Sequence, residues 1–329
     1  MTRLAPAFLS LLLLAAPPPA ARAEVTTVNI SHHPGIGYLT GPIMDHEKLV
    51  EKHAEKLGLG RVTTTYRISG GATQSIELVV SGTVDFAIAG LTPVIIAWSK
   101  TRGEVLGVAA ANTADLVLVT NQARIKSIKD FTPQDRIAVP AVKTSMQAVA
   151  LAMAAEKAFG DPKKLDAITV SMQHPDAVNA LLSRRTEITA HFASPPFFAA
   201  ELKEPGFHKI TTMEEIVGSP VSIAAALARV RFRKENPKVF QAVFNAIAEA
   251  NEFITKNPRR AAEIYVATAK SKVPLEELER QITKENVYTT TPSGVMKFAE
   301  FMHRTGQIPQ KPSSWKEIFF DVAHGLPGS

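Results

Sequence analysis

Between residues 25 and 93 the sequence repeats one order three times: a β-branched apolar stretch, a turn of glycine or hydroxyl residues, and a stripe of apolar residues at helical spacing. Few folds accept that order. Strands separated by helices must run the same way, so the repeat predicts a parallel sheet with helices packed on it. Residues 25–30 alternate and predict the first strand. A helix is expected over about 43–57, with Leu49, Val50, Ala54 and Leu57 on one face and Gly58 as its stop. Residues 62–68 predict the second strand. Ser69-Gly70-Gly71-Ala72-Thr73 turns into a helix carrying Ile76, Val79 and Val80. Residues 84–89 predict the third strand, and Gly90-Leu91-Thr92-Pro93 opens the next helix.

A second series follows. Residues 105–111 and 116–120 read as strands around the polar Asn112-Thr113. Strands are expected at 136–140, 167–172 and 188–192, with helices at 144–159 and 174–183 and another starting at Ser194-Pro195-Pro196. The apolar segment 221–228 can carry the chain back to the first unit. From Pro237 onward the pattern is helical. The fold class is therefore α/β, in two lobes each built on a mostly parallel sheet. The expected organisation is 1–23 as an export signal, 24–113 as lobe one, 114–220 as lobe two, and 221–329 as the return with C-terminal helices. Segments that cross between lobes make a hinge, and the cleft between lobes is the natural ligand site.

The first residues have the order of a secretory signal: Arg3, an apolar run centred on Leu11 to Leu14, then Ala21-Arg22-Ala23 as a small-residue cleavage site. The apolar run is about half a membrane span. Cleavage before Glu24 removes Arg3 and Arg22 and lowers the formal net charge from +6 to +4. That balance is too mild, and the basic pairs too scattered, for a nucleic-acid partner. Cysteine is absent, which excludes disulfides, thiolate metal sites, a cysteine nucleophile and lipid attachment through cysteine. A freely diffusing periplasmic monomer is expected.

Four strand-to-helix turns are the candidate site: Gly71 with Ala72, Leu91 with Thr92, Thr144 with Ser145, and Ser194. Ligands of open parallel sheets bind outside the carboxyl ends of strands. Helix N-termini there offer free N–H groups and a positive dipole end to an anion. Thr92 and Ser194 also suit a plain N-capping role next to proline. His33 on the first loop and His191 after a later strand can meet across the cleft, where imidazole would bind a carboxylate. Their spacing matches no metal motif, so no metal and no cofactor are expected. Tyr38 is a candidate aromatic wall. Neither Gly-x-Ser-x-Gly nor His-Glu-x-x-His occurs, and no enzyme is expected.

These turns carry a family resemblance. The glycine turn before Gln74-Ser75-Ile76-Glu77-Leu78, the stretch from Ser81-Gly82-Thr83-Val84-Asp85-Phe86 through Ala89-Gly90-Leu91-Thr92-Pro93, and Asn236-Pro237-Lys238-Val239 followed by Ala246-Ile247-Ala248-Glu249-Ala250 resemble the nitrate/sulfonate/taurine class of ABC-transporter substrate-binding proteins, with its thiamine-pyrimidine-binding relatives. The resemblance implies a type II periplasmic-binding fold that closes on a small solute and delivers it to a membrane permease with a cytoplasmic ATPase. It places solute contacts at Gly71, Ala72, Leu91, Thr92, Thr144, Ser145 and the segment after His191. Many relatives have a Trp-Asp-Pro-Tyr-like stretch there, and this chain has His191-Phe192-Ala193-Ser194-Pro195-Pro196-Phe197. The absent indole and acid weaken an alkanesulfonate or taurine reading and leave another small organic anion open, an aromatic one included. The same architecture also serves a thiamine-pyrimidine synthase and a dehydratase, and a ligand-presenting sensory protein is a third alternative.

Overall fold

A computed structural model describes residues 23–329; the expected export signal lies, but for Ala23, outside the described residues. Two sheets organise the chain. The first contains β1 (Thr27–His32), β2 (Thr63–Ile68), β3 (Phe86–Ala89), β4 (Val105–Ala114), β10 (Ser222–Arg229) and β11 (Asn286–Val287), in the order β11-β4-β10-β3-β1-β2. The second contains β5 (Val117–Thr120), β6 (Ile137–Val139), β7 (Thr169–Ser171), β8 (Ala190–Ala193) and β9 (His208–Thr212), in the order β7-β6-β8-β5-β9.

Helices α1 (Thr40–His46) and α2 (Leu49–Lys56) join β1 to β2, α3 (Ala72–Val80) joins β2 to β3, and α4 (Leu91–Lys100) leads to β4. These crossovers make β1 parallel to both β2 and β3. In the second sheet, α5 (Met146–Phe159) joins β6 to β7, α6 (His174–Ser183) joins β7 to β8 and α7 (Phe197–Leu202) joins β8 to β9, with β6 parallel to β7 and β8; α8 (Met213–Val217) then leads to β10. The tail adds α9 (Val230–Glu235), α10 (Pro237–Lys256), α11 (Pro258–Ala269), α12 (Leu275–Lys284) and α13 (Val295–Arg304).

The structure departs from the sequence expectations in four places. Both sheets are mixed: β10 returns from the second sheet and pairs antiparallel with β3 and β4, and β5 pairs antiparallel with β8 and β9. The helix expected over 43–57 is two helices. Lys48 adopts φ 52° between them, and its Nζ is 2.7 Å from Asp45 Oδ1. Strand β9 and helix α8 were not anticipated. The sequence of β9, His-Lys-Ile-Thr-Thr, is polar because it is an edge strand. Thr212 then caps α8 reciprocally with Glu215. Finally, β11 interrupts the expected helical tail by pairing with β4.

Helices cover both faces of the first sheet. Along β10, Ala224, Ala226 and Ala228 pack toward α2 and α10, whereas Ala225 and Leu227 join the opposite core around α4 and α13. Burial on both faces explains why β10 reads as an unbroken apolar run. The second of these cores continues through Met146, Val149 and Phe192 into the second sheet. The C-terminal segment is tied on as well. Gly107 N donates to Ile318 O at 2.8 Å, and Phe320 N donates to Gly107 O at 2.8 Å. None of the described helices is long and apolar enough to cross a membrane.

Candidate functional site

Five strand-to-helix turns open onto one cavity between the two sheets. Gly71 and Ala72 come from the β2–α3 turn, and Gly90 and Pro93 from β3–α4. Ser145, Met146 and Gln147 come from β6–α5, Gln173 and His174 from β7–α6, and Ser194 from β8–α7. Each turn follows a strand, so backbone N–H groups of the next helix start at the cavity edge. Gly71 has φ 140°, a conformation side chains rarely adopt, and a Cβ there would stand 3.2 Å from Gln173 Nε2.

The first loop adds to the wall. His33 Nε2 is 2.9 Å from Ser75 Oγ, and its ring centroid is 4.9 Å from that of Tyr38. Burial, with His32 adding to it, pulls the His33 imidazole down to about 4, against a smaller opposing hydrogen bond from the Gly71 backbone. The Tyr38 hydroxyl donates to Ile223 O at 3.4 Å, and burial pushes its pKa up. Tyr38, Leu116, Met146 and Ile223 contribute large apolar side chains to the lining.

Six of the ten expected site residues therefore share the wall: His33, Tyr38, Gly71, Ala72, Ser145 and Ser194. The other four lie behind it or beside it. Leu91 is buried, with its N–H directed at Met146 Sδ at 3.2 Å. Thr92 Oγ1 donates to Thr144 O at 2.8 Å, which joins a turn of the first sheet to a turn of the second. Thr144 Oγ1 lies 3.5 Å from Thr73 Oγ1. His191 is fully buried and does not meet His33; its neighbour is His174, with 2.7 Å between His191 Nε2 and His174 Nδ1. Among the described residues, no cluster of three or more histidines or acids is placed to hold a metal.

The hydroxyls differ in use. Ser145 Oγ caps α5, accepting from Ala148 N at 3.2 Å and donating to Ala141 O at 2.7 Å. Thr92 and Ser194 do not cap. Helix α4 starts at Leu91 after Gly90, which puts Thr92 inside its first turn, and α7 starts at Phe197. Ser194 Oγ is buried and has no hydrogen-bond partner among the described residues. A buried hydroxyl facing a cavity without a partner is set up for one that enters.

The electrostatics favour an anion. No lysine, arginine, aspartate or glutamate among the described residues lines the cavity. Helices α3, α4, α5 and α6 each place an N-cap or first-turn residue on it, so four positive dipole ends converge on one space. Behind the wall, Glu201 Oε1 is 2.5 Å from His191 Nδ1. Burial pushes the Glu201 carboxyl up to about 9 and the His191 imidazole down to about 3.

Gln147, Gln173 and His174 were missed in the sequence. The signal was present: residues 171–174 are a further strand-to-helix turn, with Pro175 in the first helical turn. Glu201 left no such signal, because only the fold brings it to His191.

The sequence profile of the NMT1-like family matches residues 21–268. No curated protein sequence matches the chain. Solved structures share its fold. The alkanesulfonate-binding protein SsuA from Xanthomonas axonopodis pv. citri, bound to MOPS, superposes with a TM-score of 0.70 at 15% identity, over 88% of this chain and 96% of its own. The periplasmic aliphatic sulphonate binding protein SsuA from Escherichia coli gives 0.68 at 16%, over 92% and 100%. The periplasmic sulfonate-binding protein SsuA from Methylobacillus flagellatus KT gives 0.64 at 18%, over 92% and 94%.

Proposed function

The chain belongs to the NMT1-like family, and from that premise we propose that it is the solute-binding component of an ABC importer. In this reading, residues 24–113 and 221–329 form one lobe and residues 114–220 the other. The lobes close on a small organic anion, of sulfonate or carboxylate type, and pass it to a membrane permease driven by a cytoplasmic ATPase. The protein works in the periplasm as a monomer, after cleavage before Glu24. It binds and releases its solute unchanged, so it is not an enzyme.

One observation carries the anion assignment: four helix N-termini converge on a cavity with no lysine or arginine in its lining. Fixed dipoles and N–H groups can hold a negative group without a formal cation. The unpartnered Ser194 hydroxyl adds a donor. Tyr38, Leu116, Met146 and Ile223 suit the apolar part of an organic solute. The solute's identity within that class is set by the segment from His191 to Phe197, where the chain departs from its relatives. The importer role is supported by the family and by the likeness of fold to proteins described as periplasmic sulfonate-binding.

A thermal-shift screen of residues 24–329 against sulfonates, carboxylates, nitrate and pyrimidines tests the reading. A solute present at about 100 times its Kd stabilises the fold by about 2.7 kcal/mol. A rise in midpoint with a sulfonate or carboxylate is expected. A response to pyrimidines alone would move the protein to the thiamine-pyrimidine branch, and no response to any anion would remove the anion assignment.

A further inference from the structure

Three buried side chains form a connected chain that ends at the cavity wall. Glu201 on α7 and His191 on β8 are both inaccessible to solvent, and Glu201 Oε1 is 2.5 Å from His191 Nδ1. His191 Nε2 is 2.7 Å from His174 Nδ1. At the cavity end, His174 Nε2 is 3.3 Å from Gln147 Nε2, and both residues line the cavity. Phe197 stacks on the His174 ring at 5.2 Å. The other carboxyl oxygen, Glu201 Oε2, is buried with no partner among the described residues. A carboxylate left bare in this way is costly, whereas a neutral acid is far less so.

Each contact needs one donor and one acceptor, and two of the arrangements that meet this with His191 neutral and Glu201 Oε1 carrying any acid proton differ by a single proton. In the loaded state, the Glu201 O–H donates to His191 Nδ1, His191 Nε2–H donates to His174 Nδ1, and His174 keeps its proton on Nε2. In the unloaded state, the Gln147 amide donates to His174 Nε2, His174 Nδ1–H donates to His191 Nε2, and His191 Nδ1–H donates to the Glu201 carboxylate. Loading adds a proton at His174 Nε2, moves the His174 Nδ1 proton to His191 Nε2, and moves the His191 Nδ1 proton to Glu201 Oε1. The Gln147 amide turns to present its oxygen or gives way to solute.

We propose that Glu201, His191 and His174 are a proton relay that decides whether the cavity offers its solute a donor or a lone pair, and that His174 in its Nε2–H form is a specificity-determining contact for the anionic group. The second half rests on the anion reading of the cavity. Burial supports the loaded state near neutral pH: it raises Glu201 to about 9, lowers His191 to about 3, and lowers His174 well down, with His191 and His33 adding to the last. His33 faces His174 from the first loop and is itself lowered to about 4. On the packed elements, Asp176 of α6 is exposed, Lys203 after α7 is exposed and pairs with Glu277 at 3.5 Å, and β5 carries no ionisable residue.

The test begins without ligand. Imidazole 15N spectra of wild-type residues 24–329 are recorded from pH 6 to pH 11. His174 is expected to hold Nε2–H at pH 7 and to invert to Nδ1–H with a midpoint near 9. Glu201→Gln removes the titrating group, so its His174 tautomer should be the same at pH 7 and pH 10. Nδ1–H at pH 7 in the wild type, or one tautomer across the range, overturns the relay. Methanesulfonate then tests the contact. Its affinity should be about tenfold weaker at pH 10 than at pH 7, because about one relay in ten is still loaded, and Glu201→Gln should abolish that difference. Equal wild-type affinity at both pH values overturns the contact. Inversion of His174 without binding of methanesulfonate or acetate at pH 7 upholds the relay and overturns the contact together with the anion reading.

Discussion

Ser194 and Ser145 share a cavity wall, yet their hydroxyls have different partners. Ser194 Oγ has none among the described residues, whereas Ser145 Oγ caps α5. Ser194→Ala should weaken anion binding by about 1.5–3 kcal/mol, roughly ten- to a hundredfold, and leave the unfolding midpoint in place. Ser145→Ala should lower stability by about 1 kcal/mol through loss of the cap. Calorimetry and denaturant unfolding on both variants separate the two roles; the reverse pattern would exchange them. Glu201 makes a third prediction. Its pKa rises from an ordinary 4.5 to about 9 on folding, so the folded chain holds a proton that the unfolded chain releases. Its contribution is greatest below 4.5 and is lost as pH climbs toward 9. Glu201→Gln removes that loss, so its stability relative to wild type should grow from pH 5 to pH 8, by up to about 1.4 kcal/mol per pH unit. A difference that does not change with pH would mean the carboxyl is ionised in the fold. Single residues were legible in the sequence where they follow a strand, as Ser194 does. Glu201 was not, because ten positions separate it from His191 and only the packing of α7 on the second sheet joins them.

At the scale of elements, turn chemistry decided most of the agreement. Gly160 ends α5 with φ 73° as the sequence predicts, and His174–Ser183 is a helix over the expected span. The misses have local causes. Lys48 breaks the first helix through its own backbone conformation, which composition does not announce. Strand β9 lacks the apolar alternation of a half-buried strand because it lies at an edge. The C-terminal segment was also hidden, since its anchor is a long-range fit: the Phe319 ring packs on Gly107, where an added Cβ would stand 2.5 Å from it. Gly107→Ala should therefore cost about 1–3 kcal/mol by overpacking, measured by urea unfolding. An unchanged midpoint would mean that the tail moves aside freely.

For the whole molecule, the repeated strand-turn-helix order was enough to predict an α/β fold, and the run over 221–228 enough to predict a return. The antiparallel direction of that return was not legible, because apolar runs carry no direction. The Thr92 hydroxyl on the Thr144 carbonyl links turns of the two sheets, so on the proposed closure of the lobes Thr92→Ala should favour an open form. Small-angle scattering should then give a larger radius of gyration for this variant than for wild type without solute; identical curves would show that this bond does not hold the clamp shut. In the proposed function the cavity selects a small organic anion through helix ends and neutral donors. The most direct test of that selection is calorimetry at pH 7 with matched pairs, methanesulfonate against methanesulfonamide and benzoate against benzamide. One site per chain is expected and, for at least one pair, an anion bound at least about tenfold tighter than its neutral partner, about 1.4 kcal/mol. Neutral partners that bind as tightly as the anions would contradict it.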